Sequence, residues 1–196
     1  MSRIRFRPLS EKQLRPIREA RAFLAELTGR ERNEADEPAS PEFGFAHAIH
    51  VMGLRDLVEG NGIIEAPVSI RVMESAGAEK GAYYDLTASE HAPELMQMAA
   101  GDNGYGALLE RGIATAHRWA DAHGREADLR MLRVPALYTE ALLLRTSKQE
   151  EEIAIVIRTF QEGIDMLRPM PLSELLDKLK APARFILDRD GGRQIA

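Results

Sequence analysis

The chain has 196 residues, 44% of them hydrophobic, and a formal net charge of −5, enough for one sizeable core and too mild a field to select a polyanionic partner or to mark disorder. Cysteine is absent, which excludes disulfides, thiolate metal ligands and a cysteine nucleophile and fits a reducing compartment. The basic N-terminus is followed by no apolar leader segment, and no run approaches the roughly 18 apolar residues of a membrane span, so a cytoplasmic protein without membrane partners is expected.

Charge is uneven along the chain. Residues 1–30 hold eight basic side chains against three acidic ones, a net of +5, which leaves −10 for the remainder. The opening RIRFR alternates Arg3, Arg5 and Arg7 with Ile4 and Phe6, the period of a short strand with one wet face. Ser10 and Gln13 then form a capping-box pattern, with Leu9 and Leu14 placed as a hydrophobic staple. Leu14, Ile17, Ala20, Leu24 and Leu27 continue at helical spacing toward Gly29, with Pro16 as the irregular member.

The stretch 30–44 has two prolines, five acidic residues and few apolar ones, and reads as a linker. FAHAIHVMGLRDLVE, residues 45–59, is apolar on most faces and predicts a buried helix stopped by Gly60-Asn61-Gly62. Val68, Ile70 and Val72 alternate with Ser69, Arg71 and Met73, predicting a strand over 67–74. SAGAEKGAYYDL is loop-like, and Thr87-Ala88-Ser89-Glu90 announces a helix to about Ala100.

GDNGYG, residues 101–106, breaks that helix. Tyr105, Leu108, Leu109, Ile113, Ala116, Trp119 and Ala120 then form the strongest helical stripe in the chain, closed at His123 and Gly124. A strand is predicted over 128–134, and the hairpin ALYTEALLL and EIAIVIRTF follows around the polar turn Ser147-Lys148-Gln149-Glu150. Ile153, Ile155, Val156 and Ile157 are β-branched and favour a sheet, and ALYTEALLL inherits a strand assignment by pairing. Both registers of ALYTEALLL are apolar, which predicts burial on two faces. SELLDKLKAPARFIL gives a final helix capped by Ser173, before a frayed tail.

Candidate chemistry is sparse. His47 and His50, three apart on the predicted helix, would share a face and could hold a metal ion with His91 or a carboxylate as a third ligand. The competing account makes them hydrogen-bonded core residues. His117 and Asp121 are spaced for a ring-orienting contact, but both lie off the apolar stripe beside Arg118, which favours a solvated surface pair. GDNGYG lacks the lysine and hydroxyl of a phosphate loop and is explained by helix caps. Ser75 and the Tyr83-Tyr84-Asp85 cluster fit turn and loop packing better than a nucleophile or a pocket. The N-terminal arginines could contact phosphates, but Glu31, Glu34, Asp36 and Glu37 follow directly and favour neutralisation within the chain or between subunits.

The expected architecture is a single α+β domain with a mostly antiparallel sheet of about four strands, 67–74, 128–134, 137–146 and 152–159, and helices on one face. Residues 1–44 would be an appended basic arm, helix and acidic linker, 45–188 the core and 189–196 the tail. The leading function is a non-catalytic cytosolic binding or protein-interaction domain, homodimeric or with a small-molecule ligand. The alternative is a hydrolase or metal-dependent enzyme using His47 and His50, and nucleic-acid binding through the N-terminal arginines ranks third.

Overall fold

The structure is a computed structural model that describes residues 3–27, 42–63, 66–76, 81–99, 104–146 and 152–191. The first half of the chain contains β1 (Ile4–Arg5), α1 (Glu11–Leu27), β2 (Glu42–Val51), α2 (Leu54–Glu59), β3 (Ser69–Ala76), β4 (Tyr83–Thr87) and β5 (Leu95–Ala99). The second half contains α3 (Gly104–His123), β6 (Ala127–Val134), a 3-10 turn (Pro135–Leu137), β7 (Thr139–Thr146), β8 (Ile153–Arg158), β9 (Pro169–Pro171) and α4 (Leu172–Gly191). The strands run in the order β5-β4-β3-β2-β6-β7-β8-β9, with β1 joined to β6 outside that path.

The α+β class stands, but the expectation of about four mostly antiparallel strands does not. The sheet has nine strands and is mixed, because β1 pairs with β6 in parallel, Ile4 opposite Ala127. The additional strands lie where sequence periodicity predicts a helix or a loop. FAHAIHV forms β2 instead of a helix, for a run apolar on all sides satisfies a strand flanked by neighbours on both edges as well as a buried helix. YYDLT forms β4 and LMQMA forms β5. The hydroxyls that suggested a helix cap at 87–90 serve the turn between those two strands: Thr87 Oγ1 accepts from Glu94 N–H at 3.0 Å and Ser89 Oγ from Ala92 N–H at 3.1 Å.

The chain divides into two compact units. One comprises Met1–Arg5, Ile49–Pro67 and Leu108–Ala196, and is built on the antiparallel ladder β6-β7-β8-β9. Leu132, Val134, Ala141, Leu143, Ala154 and Val156 on one face of this ladder meet Leu57 of α2 and Leu175, Leu179 and Ala183 of α4. The opposite register carries Leu142 and Ile157, and α3 packs there through Gly112, whose missing Cβ would lie 2.6 Å from Ile157 Cγ2. Helices therefore cover both faces of the hairpin, not one. The doubly apolar pattern of ALYTEALLL has its second partner in α3, which stops in a Schellman cap: Gly124 has φ +61, its N–H bonds Asp121 O, and Arg125 N–H bonds Ala120 O.

The other unit comprises Phe6–Ala48 and Val68–Ala107. Ser10 opens α1 as expected, its N–H donating to Gln13 Oε1 at 3.0 Å, and Pro16 is accommodated inside the helix. Ile17 of α1 is fully buried with Ala46, Ile70, Val72, Tyr84 and Leu86. Here β3 and β4 pair with Arg71 opposite Asp85, and β5 follows antiparallel with Gln97 opposite Asp85. No described helix is long and apolar enough to cross a membrane. Most of the linker predicted at 30–44, the 147–150 turn, residues 101–103 of GDNGYG and the tail from 192 lie outside the described residues.

Candidate functional site

Strand alternation sorts the residues of β3 and β4 onto two faces, and each face carries a buried carboxylate paired with an arginine. On one, Arg71 Nε donates to Asp85 Oδ1 and a terminal nitrogen to Oδ2, both at 2.7 Å. The side chains are 2% and 5% exposed. The register sets this side-on fork, because the two residues are direct cross-strand partners. The guanidinium carbon lies 4.2 Å from the Tyr83 ring centroid and 5.0 Å from that of Tyr105, and the remaining terminal nitrogen donates to the Tyr105 hydroxyl. Gln97 Nε2 donates to the Tyr83 hydroxyl at 3.1 Å and extends the network onto β5. Planarity makes the assembly possible: only a guanidinium can fork a carboxylate in its plane while an aromatic ring covers its face.

On the other face the fully buried Glu74 receives an Arg21 terminal nitrogen at 2.9 Å and the Tyr84 hydroxyl at 3.3 Å. Burial, followed by the negative charge of Glu74, pushes the Tyr84 phenol far above its ordinary value, so it stays protonated and donates. The cluster Tyr83-Tyr84-Asp85 is thus divided between two networks. The structure brings Tyr83, Asp85 and Tyr105 together around Arg71, an arginine that alternation in the sequence places on the face opposite Val68, Ile70 and Val72. The only signal available was an arginine and an aspartate in two adjacent strand-like segments, whose pairing becomes visible once β4 is known to be a strand.

The histidines are distributed differently from the helical expectation. His47 and His50 both lie on β2, where a spacing of three directs side chains to opposite faces. His91 is exposed in the β4–β5 turn. Among the described residues no three His, Asp or Glu side chains are grouped to hold a metal ion. His47 is fully buried, Nδ1 donates to Phe45 O at 2.8 Å, and Nε2 meets no hydrogen-bond partner among the described residues. Burial lowers its pKa from 6.5 to about 4, assisted by the nearby Arg71 charge, so the ring is neutral at physiological pH. Asp121 meets Arg3 at 3.7 Å, while the side chain of Ser75 lies outside the described residues.

The N-terminal arginines are engaged within the chain. Arg5 meets Asp128 at 2.8 Å, Arg7 meets Glu90 at 3.0 Å, Arg15 meets Glu19 at 2.8 Å and Arg18 meets Glu11 at 2.8 Å. With Arg3 on Asp121 and Arg21 on Glu74, each of the six has a carboxylate partner, so the basic excess is locally compensated.

A second candidate site is apolar and outward-facing. Tyr138 and Phe160 are 62% and 70% exposed, with ring centroids 5.7 Å apart and planes inclined at 50°. Sequence reading missed it because Tyr138 precedes β7 and Phe160 follows β8, and only the β7–β8 pairing makes them neighbours. Their backbones are fixed by side-chain bonds: the Thr139 and Thr159 hydroxyls lie 2.9 Å apart, Gln161 Nε2 donates to Leu137 O at 3.2 Å, and Gln161 N–H donates to Thr159 Oγ1 at 3.1 Å. Tyr138 itself has φ +49, the left-handed region in which an L residue is strained by roughly 1–2 kcal/mol. Such strain persists only where surrounding contacts over-determine it.

These features define the class: an α+β protein with a nine-stranded mixed sheet, two buried arginine–carboxylate networks and a rigid exposed aromatic pair. Compared with known protein families, curated proteins and solved structures, the chain matches none.

Proposed function

We propose that the protein is a non-catalytic, cytosolic interaction protein that acts as a homodimer through the Tyr138–Phe160 pair. The observation that carries this reading is the rigid presentation of two large, mostly exposed rings, one of them on a strained left-handed backbone. Exposed tyrosine and phenylalanine on a pre-ordered backbone lose little side-chain entropy on docking, which suits them as interface anchors. The inclined rings leave faces and edges open, so an aromatic pair can stack edge-to-face on its own two-fold copy, as an isologous contact requires. The cysteine-free sequence supports the reducing location. Arg71, Asp85 and Glu74, side chains that could carry chemistry, are buried and committed to one another or to Arg21, a role in holding strands together.

Size-exclusion chromatography with light scattering tests the proposal. The expected mass is that of a dimer, shifting to the monomer when Tyr138→Ala and Phe160→Ala are combined. Both rings are exposed, so the variant should keep the wild-type circular dichroism spectrum. A monomeric mass for the wild-type chain at every concentration refutes the reading.

A further inference from the structure

We infer that the cleft on α3 between Arg111 and Arg118 is a binding site for a small ligand with an oxyanion group, a phosphate or a carboxylate. Residues 111, 114, 115 and 118 follow the spacing that brings side chains onto one helix face, and with Leu167 they line a cleft of about 210 Å³. Its rims are Arg111 and Arg118, about two helical turns apart along α3. Ala114 contributes no bulk between them. Thr115 is buried at the centre, its hydroxyl donating to Arg111 O at 3.0 Å and accepting from Arg118 at 2.8 Å, so Arg118 is fixed along one edge with further donors free. The far wall is also fixed: Leu167 has φ +61 and its N–H is bonded to Val156 O at 2.8 Å.

The charge state of the cleft distinguishes it from the N-terminal arginines. Among the described residues neither Arg111 nor Arg118 meets a carboxylate, whereas each of the six N-terminal arginines does. Arg168, adjacent to Leu167, is taken by Asp165 at 3.1 Å. In a chain of net charge −5, two guanidiniums without a carboxylate partner among the described residues, Arg118 bonded only to the neutral Thr115 hydroxyl, form a local positive field on one cleft. The planar fork of arginine matches the oxygen spacing of phosphate and carboxylate, which identifies the ligand chemistry. The volume lies below the roughly 300 Å³ of a cofactor-sized pocket, so the site suits one anionic group or a compact ligand carrying it.

The test is an amide and arginine side-chain NMR titration of the full chain with inorganic phosphate, with succinate and with sodium chloride at matched ionic strength. Saturable shifts confined to residues 111–118 and 167 are expected with phosphate, succinate or both, and the stronger arm identifies the oxyanion. Chloride should produce only small, non-saturating shifts. The Arg111→Ala, Arg118→Ala variant should weaken binding at least about tenfold, with Lys at both positions retaining part of it. Both side chains are exposed, so the variants should unfold at the wild-type urea midpoint. Equal shifts with chloride, no saturation with either oxyanion, or undiminished binding by the alanine variant would each overturn the assignment. None of these outcomes depends on the oligomeric state.

Discussion

Arg71 of β3 illustrates how a charge is tolerated inside a small core. Removing a guanidinium from water costs several kcal/mol, offset here by an in-plane fork to Asp85 and by aromatic faces at 4.2 and 5.0 Å. His47, in the field of Arg71 and Asp85, meets the same problem by remaining neutral. Its folded pKa of about 4 lies below its ordinary 6.5, so between those values the unfolded chain binds a proton that the folded chain does not. Its contribution to stability is therefore complete above pH 6.5 and is lost as pH falls toward 4, on the order of 3 kcal/mol in all. Asparagine can replace the Nδ1 donor to Phe45 O without titrating. Urea unfolding of wild type and His47→Asn across this range should give a shallower pH slope for the variant; identical slopes would show that His47 titrates alike in both states.

At the scale of elements, packing decides details that local preference opposes. Glycine inside α3 costs roughly 1 kcal/mol relative to alanine, yet Gly112 occupies a position where a Cβ would lie 2.6 Å from Ile157 Cγ2 and 3.0 Å from Leu142 Cδ1. Gly106 is more constrained, since its Cβ would fall 2.4 Å from the Gly81 carbonyl oxygen. Gly112→Ala should lower the unfolding free energy by about 1–3 kcal/mol in urea titrations despite its better helix propensity, because overpacking outweighs propensity. A stabilised variant would mean that α3 can move off the sheet at no cost. The same competition explains what the sequence revealed. The start of α1, all of α3, the β6-β7-β8 ladder and the body of α4 were legible because cap, period and β-branching agreed, although Ser173, expected as the cap of α4, lies inside its first turn after Leu172. By contrast, β2 was hidden because a strand buried on both faces has no alternation, and β5 because Thr87 and Ser89 imitate a helix cap. The Arg71 network was hidden with them, as it depends on a pairing between β3 and a β4 that read as loop. The α3 cleft was hidden for another reason: arginines off an apolar stripe look alike until their carboxylate partners can be seen.

At the scale of the molecule, a sheet whose end strands among the described residues are β5 and β9 must avoid adding strands from other copies without limit, and its two edges carry different devices. At β5 the pairing with β4 shifts register between Asp85 and Leu86, leaving Met96 as an extra, exposed residue that interrupts a flat edge. At β9 the strand has three residues, two of them proline, and Pro171 and Pro169 stand opposite Ile153 and Ile155 of β8. Because the strand alternates, Pro169 and Pro171 share one orientation, and proline has no N–H to offer an incoming strand. Two missing donors in three residues leave too few bonds for pairing in register. A closed dimer through Tyr138 and Phe160 is compatible with such guarding, since it uses side chains and consumes no edge. The combined Pro169→Val, Pro171→Val variant restores both donors and raises β propensity. It should therefore scatter light increasingly with concentration and bind an amyloid-sensitive dye on mild heating, under conditions where wild type remains clear. Wild-type behaviour in both assays would place the protection at β9 in the adjoining α4, which begins at Leu172, and not in the prolines.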